Sequence, residues 1–212
     1  MSNKILQFRI ATPDDAAQIQ NLIQSSFRTP DPREKWTGST QLASQLHISV
    51  DEVLAKIHKP ECAVLVATTT DHPTDDGTIV ASVECAKPTG TAACGTRVPA
   101  GKNNNYNTSG GGGKKDLVRL SMLAVDNTQQ RTGLGRAVLA RAEEFCRTEW
   151  GGVTRLGLNA LSTREALIAW YERCGFERTG ETSAFPRERF PALDLPEDLC
   201  FVELEKDLTR VR

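Results

Sequence analysis

Residues 120–137 read L-S-M-L-A-V-D-N-T-Q-Q-R-T-G-L-G-R-A, and the fold turns on this stretch. Its first half extends back to Leu117 as L-V-R-L-S-M-L-A-V, apolar on both faces, as suits a strand covered on both sides. Asp126-Asn127-Thr128 is turn chemistry. From Leu134, the apolar residues Ala137, Val138, Ala142, Phe145 and Cys146 recur at helical spacing to about Glu149, where Gly151-Gly152 closes the helix. A central strand therefore feeds a helix through Gln130-Arg131-Thr132-Gly133-Leu134-Gly135. Such a turn exposes backbone N–H groups, and the helix start adds positive partial charge. Gly133 and Gly135 let an anion approach the backbone, and Arg131 and Arg136 add charge beside it. The combination suits a pyrophosphate.

Two common nucleotide motifs do not fit. The dinucleotide fingerprint needs a small third residue, where this chain has Val138. No Gly-Lys-Ser/Thr follows for a triphosphate; Gly113-Lys114-Lys115 lacks both the hydroxyl residue and a preceding strand. A tight strand-to-helix turn without a ligand stays open as the plain alternative.

Working outward, residues 5–11 read as a first strand, and Thr12-Pro13-Asp14-Asp15 as a helix entry. Ala16, Ile19, Leu22, Ile23 and Phe27 form a helical stripe that Thr29-Pro30-Asp31-Pro32 stops. A second helical pattern runs over 49–58. Residues 62–68 and 78–86 read as a strand hairpin around the turn at 71–77. Residues 87–115, rich in Gly, Asn and Pro, cannot build a core and read as a flexible inserted loop. Beyond the central unit, residues 154–161 read as a strand, 163–174 as a helix, and strands begin at Phe176 and Leu199. The order implies one mixed α/β domain over residues 1–212.

At Gln130, Gly133 and Gly135 the chain resembles the GNAT superfamily of acyl-CoA-dependent N-acetyltransferases, whose signature is Q/R-x-x-G-x-G/A after an apolar strand. The family's second signature, a tyrosine shortly before a Gly-Phe pair, is matched by Tyr171 and Gly175-Phe176, about 40 residues on. The element order matches over nearly the whole chain, with 87–115 as an extension. The resemblance implies a mixed, largely antiparallel sheet whose central strands splay apart around acetyl-CoA, with helices on both faces. By it, Leu123, Ala124 and Val125 offer backbone groups to the pantetheine arm. The N–H groups of Arg131, Thr132, Gly133, Leu134, Gly135 and Arg136 cradle the pyrophosphate, and Tyr171 lies near the sulfur as acid for the departing thiolate. The plain reading of Tyr171 is an aromatic on a helix's core face.

Two departures from the family pattern matter. Many members carry Asn seven residues before this tyrosine; here it is Arg164, which can reach a CoA phosphate, a substrate carboxylate or its neighbour Glu165. Some members place a glutamate base on the strand entering the turn; here that position is Arg119. Glu84, between Val83 and Cys85, is then the leading base, expected in the cleft with a raised pKa, or else a solvent-facing strand residue. Residues 27–36 and Phe185-Pro186 are expected to wall the acceptor pocket.

The remaining expectations are exclusions. Lys plus Arg number 26 against 27 acids, which gives no global reason to expect nucleic acid or an anionic membrane as partner. No apolar stretch is long enough to span a bilayer, and residues 1–9 lack a signal-peptide core. Six cysteines without C-x-x-C spacing read as reduced and mostly buried in a cytoplasmic protein, and no metal site can be argued. The expected partners are acetyl-CoA and a primary amine, most simply of a small molecule. A protein or peptide acceptor, or a non-catalytic acyl-CoA-binding module, is the alternative. Monomer and homodimer both stay open.

Overall fold

The computed structural model describes residues 5–29, 40–45, 47–70, 77–87 and 116–210; the insert expected at 87–115 lies outside these except for Lys87. Among the described residues seven strands form one sheet: β1 Ile5–Ile10, β2 Cys62–Thr70, β3 Thr78–Ala86, β4 Leu117–Val125, β5 Arg155–Leu161, β6 Glu177–Ala184 and β7 Cys200–Asp207. Their spatial order is β1-β2-β3-β4-β5-β7-β6. Neighbours run antiparallel except β4 and β5, which are parallel. The helices are α1 Ala16–Arg28, α2 Thr40–Gln45, α3 Val50–Ile57, α4 Leu134–Glu149 and α5 Glu165–Arg173.

Local chemistry sets the helix entries. Before α1, the Asp15 carboxylate accepts the Thr12 N–H at 2.7 Å and both Arg9 guanidinium nitrogens at 2.6 and 2.8 Å. Those Arg9 hydrogen bonds hold the Asp15 carboxyl below its usual range, against burial. At α3, Ser49 Oγ accepts the Glu52 N–H at 3.1 Å while Glu52 accepts the Ser49 N–H at 2.7 Å, a reciprocal cap. The short helix α2 carries no comparable signal and was not expected.

Two cores sandwich the sheet. On one face α4 and α5 bury Val138, Leu139, Phe145 and Ile168 against Val83, Val118, Leu120 and Leu156. On the other, α1 and α3 bury Ile19, Leu22 and Val53 against Val64, Val66 and Ala124. Each such side chain contributes about 1.5–3 kcal/mol of burial. A third cluster joins Leu42 of α2 to Phe185, Phe190, Leu195 and Leu199 of the β6–β7 connection. No disulfide joins the five described cysteines; the Cys85 thiol is pushed well up, first by its hydrogen bond with Cys146 and then by burial. No described helix is long and apolar enough to cross a membrane.

The site depends on how β4 leaves β5. Their ladder covers only Leu117↔Arg155, Val118↔Leu156 and Arg119↔Gly157, while β5 stays paired with β7 as far as Leu161. At the vertex, Arg119 passes over Gly157 to reach Glu203 at 2.6 Å; a Cβ on Gly157 would meet Arg119 Nη1 at 3.0 Å. On its other edge β4 follows β3 through a bulge, with Glu84↔Ser121 but Ser82↔Ala124. The extra residue switches faces: Val118 and Leu120 belong to the α4-side core, Met122 and Ala124 to the α1-side core. Met122 takes φ 51°, and its carbonyl accepts the Ser82 hydroxyl at 3.0 Å. Beyond the vertex the two strands border a gap instead of bonding across it.

Candidate active site

The gap opens into a cavity of about 530 Å³ that runs from Arg119 and Ser121, along β4 to Val125, and out to the turn before α4. That turn is shaped by its backbone. Arg131 has φ 66° and Gly133 φ 94°, so two left-handed residues stand two apart, the kind of backbone from which anion-binding concavities are built. A Cβ added at Gly133 would meet nothing within 4 Å, so the space in front of it is open. A left-handed arginine costs about 1–3 kcal/mol, a strain of the kind that collects at ligand sites. Gln130 Nε2 ties the turn back to Asn127 Oδ1 at 2.9 Å and to the Val125 carbonyl at 3.4 Å.

The two glycines of the motif turn out to differ. Gly135 lines the cavity, yet a Cβ there would lie 3.3 Å from the Trp170 ring. It is small so that the first turn of α4 can pack on α5, whereas Gly133 is glycine for its φ. Leu123, Ala124, Val125, Gln130, Arg131, Arg136 and Arg164 also line the cavity; Thr132 and Leu134 do not. Thr132 Oγ1 caps the Gln129 carbonyl at 2.7 Å, and Leu134 is buried beneath the helix, so each has only its backbone N–H for the turn. Arg136 donates to the Arg173 carbonyl at 3.2 Å, at the C-terminal end of α5.

Tyr171 lies on the cavity wall with its ring against Trp170 and Phe176, at 5.0 and 5.9 Å between centroids. Burial pushes its hydroxyl up to about 12, with the Arg164 charge opposing. The phenol is therefore protonated at neutral pH, and among the described residues nothing hydrogen-bonds it. Arg164 precedes it by two helical turns, on the same side of α5, and stacks over the Phe27 ring of α1 at 5.7 Å.

Glu84 departs from its expected state. It is 1% exposed, faces α3 rather than solvent, and does not line the cavity. Lys56 of α3 reaches its Oε2 at 2.5 Å, Cys62 Sγ donates to Oε1 at 3.1 Å, and Ser121 Oγ donates to Oε2. Burial pushes the carboxyl up, but the Lys56 ammonium and these hydrogen bonds outweigh it, and the group sits below the usual carboxylate range. The expected raised pKa is thus reversed, because the charge that decides it comes from a helix 28 residues away in the chain.

A family model described as the acetyltransferase (GNAT) family matches residues 19–176. The chain belongs to that family. The match runs from α1 to the Gly-Phe pair before β6, and the splayed β4–β5 pair lies inside it. No curated protein matches the chain. Solved structures do. YncA from Salmonella typhimurium, solved with its cofactor acetyl-CoA, is 16% identical over 98% of this chain and 96% of its own, with a TM-score of 0.59. The ribosomal-protein-S18-alanine N-acetyltransferase of Escherichia coli is 15% identical over 98% and 97%, with a TM-score of 0.59. A GNAT-family acetyltransferase from Streptococcus pneumoniae is 17% identical over 96% and 99%, also at 0.59. These likenesses extend over more of the chain than the family model does.

The family is one of acetyltransferases that use acetyl-CoA. The left-handed turn faces open space, two strand edges border the gap, and a phenol donor stands on its wall. Sequence reading missed the other end of the cavity. Phe27, expected in the acceptor wall, lines this cavity; Phe185 stands behind it, its ring 5.6 Å between centroids from that of Phe201, which lines it. Residues 30–36 lie outside the described part. Ser26, Arg119, Ser121 and Asn159 also face in; Arg119 stands out in the sequence as a departure from the family pattern, and the Ser121 hydroxyl is a polar group in a largely apolar strand. Among the described residues no group of His, Cys, Asp or Glu is placed to hold a metal ion.

Proposed function

We propose that the protein is an acetyl-CoA-dependent N-acetyltransferase that moves the acetyl group by direct attack of a primary amine of a small molecule. The observation that carries this reading is one continuous cavity bordered by the anion-ready turn, the parted strands and the Tyr171 hydroxyl. Acetyl-CoA supplies an acetyl thioester. The turn from Arg131 to Arg136 holds its pyrophosphate with backbone N–H groups, and Leu123, Ala124 and Val125 pair with its pantetheine arm. Arg164 adds positive charge on the same wall. In the transfer the nitrogen–carbon bond forms, the carbon–sulfur bond breaks, and sulfur takes the Tyr171 proton, which solvent restores.

Glu84 enters this reading as a supporting group, since a depressed carboxyl is a weak proton acceptor; the nitrogen's proton leaves to solvent. The absence of disulfides among the described cysteines favours a reducing, cytoplasmic setting. The test is release of CoA thiol from acetyl-CoA across a panel of primary amines: an arylalkylamine, a diamine, an amino acid and an N-terminal alanyl peptide. Amine-dependent release with the small amines supports the proposal. Release with the peptide alone points to a protein acceptor. CoA binding without release on any amine indicates a binding module.

A further inference from the structure

Three features meet behind the wall where the amine would arrive. Ser121 borders the cavity and sits opposite Glu84 across the β3–β4 ladder. Its hydroxyl donates to Glu84 Oε2, so its single proton points away from the cavity. Glu84 is itself held from the far side by Lys56 at 2.5 Å and by the Cys62 thiol at 3.1 Å. A carboxylate this deeply buried costs several kcal/mol unless paired, and the fold commits a helix to pairing it. A bare core would place an apolar residue there, as β2 does with Val64 opposite Glu84.

We infer that the Ser121 hydroxyl is the acceptor that orients the attacking amine, and that Glu84 is the positioning residue that fixes the hydroxyl's polarity. A serine hydroxyl has one proton and two lone pairs. An ionised carboxylate can only accept, so with the proton given to Glu84 the lone pairs are left to face the cavity. A neutral amine has N–H bonds to donate and one lone pair to aim. An N–H held by Ser121 Oγ limits the directions in which that lone pair points, which is orientation rather than proton transfer. Keeping Glu84 ionised through its Lys56 pair makes the device constant over the working pH range. Ser121 forms and breaks no covalent bond, so the balance of the reaction is that of the transfer itself. The inference rests on the acetyltransferase reading.

The experiment compares wild type, Ser121→Ala and Ser121→Thr on the best amine of the panel above, with acetyl-CoA affinity and melting temperature measured on each. Ser121→Ala should lower kcat/KM for the amine by about tenfold, the scale of one hydrogen bond. Acetyl-CoA affinity and melting temperature should stay near wild type, and Ser121→Thr should recover most of the loss. Ser121→Ala turning over like wild type overturns the inference and leaves the acetyltransferase reading intact. Parallel losses of melting temperature and acetyl-CoA affinity, unrestored by threonine, overturn it as well, because they mark a purely structural serine. Wild type releasing no CoA with any amine overturns both readings together.

Discussion

At the outer end of the cleft the proposed anion site is the backbone from Arg131 to Arg136, a single run of chain. At the inner end the polar groups are side chains of Lys56, Glu84, Ser121, Arg119 and Glu203, brought together from α3, β3, β4 and β7. A site made of backbone is sensitive where φ is positive, at Arg131 and Gly133, or where space is tight, at Gly135. The ion pairs of the inner end, Lys56–Glu84 and Arg119–Glu203, are sensitive at each charged member, because losing one leaves its partner's charge buried. Under the proposed function, variants at the outer end should act on cofactor affinity, and variants at the inner end on stability, its pH dependence and turnover.

The largest effect should come from breaking the inner pair. Lys56→Met leaves Glu84 buried without its ammonium and should cost about 3–5 kcal/mol at neutral pH. The sign with pH sharpens the test. In wild type the Glu84 carboxyl is lowered, so its contribution is full above the unfolded value and is lost as pH falls through the folded one. In the variant the ammonium is gone and burial, the largest influence, is opposed by the Ser121 and Cys62 hydrogen bonds, so the carboxyl should rise and stability should increase as pH drops from 7 toward 5. Urea midpoints over that range decide; a midpoint that falls with pH in the variant would contradict the pairing.

Next in size is Tyr171→Phe, which removes the donor and keeps the ring. It should lower kcat about 100-fold with acetyl-CoA affinity within a few-fold and folding intact. Normal turnover would make Tyr171 a packing residue and leave the wall of the cleft without its acid. At the outer end, Gly133→Val should cost roughly 2 kcal/mol of CoA affinity by calorimetry, through lost N–H contacts and a strained φ. Gly135→Val should instead lower stability by about 1–3 kcal/mol against the Trp170 ring. A smaller residue at position 170 should relieve it. If both glycine variants lose affinity equally at unchanged melting temperature, the division of labour between them is wrong. The smallest effect belongs to Arg164→Gln, about 0.5–1 kcal/mol in acetyl-CoA binding, since its charge lies on the open wall and stacks on Phe27.

Much of the framework was legible from residue pattern. The strands expected at 78–86 and 117–125 appear with those bounds, as does the helix from Leu134 to Glu149. The last strand runs on to Asp207, past the Leu204 where its apolar run stops, because its ladder with β5 continues through charged residues up to Asp207 opposite Arg155. Backbone pairing does not need apolar side chains. The helix α2 escaped notice because a single leucine among five polar and small residues makes no amphipathic stripe; Leu42 packs into the distant Phe185 cluster.

The sequence by itself determined the strand–turn–helix unit at 117–149, the tyrosine that follows it and the family they belong to. These rest on local chemistry: periodicity, turn residues and glycines act between neighbours in the chain. Tertiary structure alone decided the bulge at Met122, the parting of β4 from β5 and the state of Glu84. A carboxyl's pKa is set by what lies within a few ångströms, and periodicity reports only that a position is buried, not what it is buried against. Glu84 reads as a base or a surface residue until α3 folds over it and places Lys56 at 2.5 Å. Gly135 reads as a phosphate glycine until α5 brings Trp170 against it. In both cases the deciding neighbour is near in space and remote in sequence.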